Sequence, residues 1–325
     1  MCGIAGLYSK TPAFQARLGS DLSAMLEQLA FRGPDSAGVA FYRDPAPFGS
    51  SKVSLFSDDP GYDWEGLHVE LEVEFAEASE PSIRASHATF VIAADAGDAQ
   101  SWLAVRHPEL RLMSAGGTIE IYKEAGPPAA FVKRFALAEI AGTHALGHTR
   151  MATESRVTTQ HSHPFSTGLD LCLVHNGSLS NHNRLRRVLA RQGIVFRTDC
   201  DSEVAAGYLT WRMREGIQFQ TDNDTEVAAG YLTWKLREGA SLEQALESCM
   251  DDLDGFYTFA VGTADGFAVL RDPIACKPAV MAETDEWVAM ASEYRAIAVL
   301  PGAPDATMWE PEPGHVYSWG HAVVA

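Results

Sequence analysis

A cysteine at position 2 is followed at once by an apolar run, Gly3-Ile4-Ala5-Gly6-Leu7-Tyr8, so the start of the chain is expected inside the fold as a buried strand. Behind Ser20 and Asp21, residues Leu18, Leu22, Met25, Leu26 and Leu29 recur at helical spacing. A loop rich in turn formers, Arg32-Gly33-Pro34-Asp35-Ser36-Ala37-Gly38, then leads to a second strand at Val39-Ala40-Phe41-Tyr42. The first residues carry neither the basic start nor the long apolar stretch of a secretory signal. A cytoplasmic location is the expectation.

From about 44 to 140 the pattern changes. His68 to Phe75 alternates polar with apolar residues and reads as a strand, as do Thr89 to Ala94, Leu110 to Met113 and Ile119 to Tyr122; helices are expected near Asp98 and after Pro127-Pro128. This segment is expected to be an inserted small α/β subdomain without a catalytic motif. Short strands then return at Thr143 to Gly147, Leu169 to Val174, Tyr257 to Gly262, Gly266 to Leu270 and Trp287 to Ala291. Helices are expected around Leu185, Val188 and Leu189, and from Leu242 to Leu253. Strands and helices in separate runs predict an α+β protein with layered sheets.

Composition narrows the function. Apolar residues make up 46% of the 325 residues, enough for a full core, and no apolar run approaches the ~20 residues of a membrane span. A formal charge of -18 would repel a phosphate backbone, which argues against nucleic acid. The five cysteines are scattered and form no CxxC pair, so neither a disulfide framework nor a thiolate zinc site is expected. His161-Ser162-His163 lacks a second ligand cluster, and no metal or organic cofactor is expected.

Four motifs can carry chemistry. Loss of Met1 would leave Cys2 with a thiol and an α-amine on one residue; an amine of pKa about 7.7–8.0 can take the proton of a thiol near 8.5. His175-Asn176-Gly177, at a strand end, can offer a side-chain amide and a backbone N–H to one oxyanion, although Asn-Gly alone is more often a turn. In Gly147-His148-Thr149-Arg150-Met151-Ala152-Thr153, Arg150 can grip a carboxylate and the Thr153 hydroxyl can add a bond. Asp199-Cys200-Asp201-Ser202-Glu203 can cap a helix or present an aspartate to an ammonium. That last motif occurs twice, because Val195 to Ile217 and Gln218 to Ala240 are a tandem repeat of 23 residues.

In this order the motifs resemble the class II glutamine amidotransferases, the glutaminase branch of the N-terminal nucleophile (Ntn) hydrolases. The resemblance runs through Met1-Cys2-Gly3-Ile4, Arg32 to Gly38, His148 to Thr153, His163-Pro164, His175-Asn176-Gly177, the Asp-Ser-Glu-Val stretch at Asp201, Leu253 to Phe259, Arg271-Asp272-Pro273 and Ala291-Ser292-Glu293. It implies a four-layer αββα fold in a single glutaminase domain, with Cys2 as nucleophile and Asn176 and Gly177 as oxyanion donors. It further implies that Arg150 and Thr153 hold the α-carboxylate of L-glutamine, that Asp201 holds its α-ammonium, and that Arg32 helps order the pocket. Asp224 in the second repeat copy is the alternative to Asp201, and the displaced copy would form an extra surface helix. The nearest likeness within the family is to stand-alone proteins related to the first domain of glutamate synthase, notably the glutaminase subunit of N-methylglutamate synthase. A hetero-oligomer with glutamate-synthase-like subunits, which take up the ammonia, is therefore expected. The alternative is an Ntn scaffold that has lost catalysis and serves as a binding or regulatory subunit.

Overall fold

The structure is a computed structural model that describes residues 1–152, 157–179 and 224–320. Its strands are β1 (Gly3–Ser9), β2 (Ser36–Tyr42), β3 (Ser51–Phe56), β4 (Ser82–Arg84), β5 (His87–Ile92), β6 (Arg111–Gly116), β7 (Ile119–Ala125), β8 (His144–Arg150), β9 (Phe165–Gly168), β10 (Leu171–Leu179), β11 (Gly255–Thr263), β12 (Gly266–Arg271), β13 (Val280–Glu283), β14 (Trp287–Ala291), β15 (Thr307–Trp309) and β16 (Val316–Gly320). Helices are α1 (Pro12–Gln15), α2 (Leu18–Leu29), α3 (Trp64–Phe75), α4 (Ala96–Arg106), α5 (Pro128–Arg134), α6 (Asp224–Arg237), α7 (Leu242–Asp252) and α8 (Tyr294–Ile297).

Two sheets form the body, a seven-stranded one in the order β15-β13-β14-β1-β8-β2-β7 and a five-stranded one in the order β16-β12-β11-β10-β9. The apolar strands are buried on both faces, and their period of two divides each between two cores. On β1, Ile4 and Tyr8 join Leu146 of β8 and Cys172 and Val174 of β10 between the sheets. Ala5 and Leu7 face the other way, against Leu22, Leu26 and Leu29 of α2 and Phe131 of α5. The outer face of the second sheet, with Leu171, Leu173, Phe259 and Val261, is covered by Ala228, Tyr231 and Leu232 of α6 and Leu246 and Cys249 of α7. The result is the expected αββα sandwich.

Between β2 and β7 the chain builds a separate four-stranded sheet, β4-β5-β3-β6, with its own core under α3 and α4. The segment from 44 to 140 thus divides, since β7 and α5 belong to the main body. The alternation from His68 to Phe75 was expected to be a strand and is instead the helix α3. Asp63 accepts the Gly66 N–H as its cap, and Trp64, Leu67 and Leu71 face the core at helical spacing while Val69 and Val73 lie in solvent. Lys52 ties the inserted sheet to the main one by donating to the Glu120 carboxylate at 2.9 Å and the Arg43 carbonyl at 2.9 Å. The helix expected around Leu185 and the expected extra surface helix lie outside the described residues.

Candidate active site at the end of the central strand

Strand parity assembles the site. Cys2 has the parity of Ile4, Arg150 that of Leu146, and Asn176 that of Cys172 and Val174, so all three are on the inter-sheet side of adjacent strand ends. β1 and β8 pair directly, with Gly3 opposite Thr149, and Asn176 crosses the gap from the second sheet. His175-Asn176-Gly177 was expected just past a strand and lies within one. β11 continues to pair there, Asn176 opposite Thr258 and Gly177 opposite Tyr257, so the Asn-Gly pair makes no turn.

Two side chains converge on the main chain of Cys2. The Asn176 amide donates to the Cys2 carbonyl at 3.2 Å, and Arg32 Nε donates to the same oxygen at 3.0 Å. Arg32 is buried and its guanidinium pairs with Glu293. Its loop is pressed onto β8: a Cβ at Gly33 would lie 2.2 Å from the Thr149 carbonyl carbon, and the Asp35 carboxylate accepts the Ala152 N–H at 2.8 Å. The Ser292 hydroxyl accepts the Ile4 N–H at 2.9 Å, and the Ser292 N–H donates to the Ile4 carbonyl at 3.0 Å. Ser292 and Glu293, noted in the sequence only as family-like, therefore anchor the start of β1 and Arg32. Only a family motif could have flagged them, since 261 residues separate Arg32 from Glu293.

The Cys2 thiol is half-buried and donates to the Met151 carbonyl at 3.8 Å. Burial pushes its pKa up, and the Met151 bond, the terminal ammonium, Arg150 and Lys277 offset part of that rise. Since the thiolate is the reactive form, its fraction near neutral pH falls as the pKa rises. Alkylation of Cys2 in protein that keeps Met1 is therefore expected to be slow at pH 7 and to climb with pH beyond the ordinary thiol range, with the exposed Cys276 as an internal reference. Peptide mapping after iodoacetamide treatment at graded pH checks this; a Cys2 rate that levels off below pH 8 would contradict it.

Behind Asn176 lies a buried histidine relay. The His175 N–H donates to His163 Nδ1 at 3.4 Å, which leaves the proton on His163 Nε2 to be donated to the Thr225 hydroxyl at 3.2 Å. That hydroxyl in turn donates to His175 Nδ1 at 3.0 Å. His148 stacks on His163 with centroids 4.0 Å apart and donates to the His175 carbonyl at 3.1 Å. Burial lowers the pKa of His148 to about 3 and that of His163 well below the usual range, so both are neutral, as the relay requires. No local sequence pattern marks these histidines as partners.

Arg150 is buried at the end of β8, close enough to act electrostatically on Cys2. Thr153 and Asp201 lie outside the described residues. Asp224 is the first residue of α6, and the Thr225 that follows it belongs to the relay.

Two sequence models of a glutamine amidotransferase domain match residues 137–211 and 209–299. The chain is 50% identical, over the full length of both, to the glutamine amidotransferase-like protein GlxB of Rhizobium meliloti. An amidophosphoribosyltransferase of Archaeoglobus fulgidus is 30% identical over 50% of this chain and 31% of its own. Among solved structures, the glutamine phosphoribosylpyrophosphate amidotransferase of B. subtilis, complexed with ADP and GMP, superposes with a TM-score of 0.58 at 19% identity, covering 98% of this chain and 47% of that one. The four-layer fold is the Ntn-hydrolase fold of class II glutamine amidotransferases.

Proposed function

Because the chain belongs to the glutamine amidotransferase family, we propose that it hydrolyses L-glutamine to glutamate and ammonia through a thioester on Cys2. The observation that carries this is the convergence of Asn176 and Arg32 on the Cys2 main chain at the end of the central strand, with Arg150 acting electrostatically on the thiol. Removal of Met1 frees the Cys2 amine, which takes the thiol proton. The thiolate attacks the side-chain amide carbon of glutamine, and the Asn176 amide and Gly177 N–H stabilise the resulting oxyanion. Collapse of this intermediate breaks the C–N bond, and the amine's proton leaves with the nitrogen as ammonia. Water then attacks the thioester, and glutamate departs as the thiol is restored.

Arg150 and Thr153 hold the substrate carboxylate in this scheme, an aspartate of the repeat holds its ammonium, and Arg32 keeps the nucleophile's main chain in place. The ammonia passes to a separate synthase polypeptide of the glutamate synthase or N-methylglutamate synthase type, a reading supported by the likeness to stand-alone glutaminase subunits. Co-purification with such subunits, and a rise in turnover when they are added, tests that part.

Asn176→Ala is expected to lower kcat by about 10²–10³-fold, the usual effect of losing one oxyanion donor, with a small change in KM. Steady-state kinetics with glutamine checks it; an unchanged kcat would remove Asn176 from the mechanism. The whole reading is tested by intact mass and ammonia release before and after treatment with a diazo-ketone analogue of glutamine. Loss of Met1, one adduct on Cys2 and abolished turnover are expected. Retained Met1 together with turnover would refute the role of the free amine.

A further inference from the structure

The chain offers its fold the same helix twice. Glu203 to Trp211 and Glu226 to Trp234 both read Glu-Val-Ala-Ala-Gly-Tyr-Leu-Thr-Trp, so the two copies carry the same apolar face. The family match over 137–211 runs through the first copy. The helix packed on the second sheet, α6, is the second copy. We infer that the second copy fills the place beside the catalytic centre, and that Asp224 rather than Asp201 binds the ammonium of glutamine; this rests on the glutaminase reading above.

Three observations carry the assignment. First, the Thr225 hydroxyl closes the relay through His163 and His175, and His175 directly precedes Asn176, whose amide reaches Cys2. The residue after Asp224 is thus built into the wall of the site. Second, Glu226 is buried and favours the charged form of Lys123, a lysine whose pKa burial lowers to about 8. That ammonium also donates to the carbonyls of Ser162 at 2.9 Å and Pro164 at 3.2 Å, on either side of His163, so the start of α6 is held to the relay loop by charge as well as by hydrogen bonds.

Third, α6 and α7 form one packed hairpin. Tyr231 and Trp234 are buried in the same core as Leu246 and Cys249, and the Tyr231 hydroxyl donates to Asp252 at 2.5 Å. Only Glu238 to Ser241 join the two helices, and a capping box of Ser241 with Gln244 fixes the start of α7. Docking the first copy here would require the whole second copy to be inserted into that short connection. With the second copy docked, the surplus residues fall upstream of α6 in the sequence, and the α6–α7 hairpin stays closed.

Paired variants of the full-length protein test this. Trp234→Ala is expected to lower the melting temperature by about 5 °C or more, as for a large core truncation, and Trp211→Ala by far less. Asp224→Asn is expected to raise KM for glutamine about 10- to 100-fold more than Asp201→Asn does, the scale of one hydrogen bond to a charged group. Equal or reversed effects in either pair would overturn the assignment. A wild-type protein inert toward glutamine would refute the glutaminase reading and with it the role of Asp224, while the tryptophan pair would still report which copy is docked.

Discussion

Replacing Cys2 by alanine is expected to lower glutamine hydrolysis by at least about 10⁴-fold while leaving the melting temperature nearly unchanged. The two effects separate because the residue's structural role lies in its main chain. Its carbonyl accepts from Arg32 and Asn176, and alanine keeps that oxygen, whereas the half-buried thiol makes one long bond to Met151. What disappears is the atom that forms the thioester, and the two buried thiols cannot replace it. Cys172 and Cys249 are fully buried, with the pKa of Cys172 pushed up to about 12 and that of Cys249 raised strongly, both by burial. Ammonia release measured on wild type and variant, alongside thermal unfolding, checks both halves. Hydrolysis that survives the substitution would confine the family likeness to the fold and favour a binding or regulatory subunit.

Gly177→Ala is the second change with a large expected effect, and it acts on stability and turnover together. Gly177 has φ of +154°, and a Cβ there would lie 2.0 Å from the Phe256 carbonyl oxygen and 2.7 Å from the Tyr257 Cα, both main-chain atoms of the paired strand. Backbone cannot yield as a flexible side chain can, so β10 and β11 must separate where Asn176 is held. We expect destabilisation of about 2–4 kcal/mol, the range of strained backbone and overpacked cores, together with a fall in kcat of at least about 10²-fold. Chemical denaturation and kinetics on the same preparation check this. A variant with wild-type stability would mean that the close approach at Gly177 is readily relieved.

Several parts of the candidate site are legible as local sequence patterns. Cys2 ahead of an apolar strand, the His-Asn-Gly triplet and the His-Thr-Arg run each carry their chemistry in adjacent residues, and their order pointed to the family. The histidine relay was not legible. His148, His163, His175 and Thr225 come from separate segments, each histidine reads alone as an ordinary core residue, and only pairing between and within the sheets brings them together. Glu293 was hidden for the same reason, because an ion pair over such a separation leaves no local pattern. The strand expected at His68 to Phe75 failed for a local reason: alternation and helical spacing share Leu67 and Leu71, and the cap at Asp63 with the packing of Trp64 decided between them.

By itself, the sequence determined the period of each strand and helix, and therefore which residues of one strand share a face: Cys2 goes with Ile4, Arg150 with Leu146 and Asn176 with Val174, and the β1–β8 register and the packing of the two sheets then bring the three together. It could not determine which of two copies with the same apolar face is used, since identical side chains give identical local preferences. Tertiary structure decided that through contacts with unique partners. Thr225 meets His163 and His175, and the short link from α6 to α7 holds the second copy against the core that buries Tyr231 and Trp234.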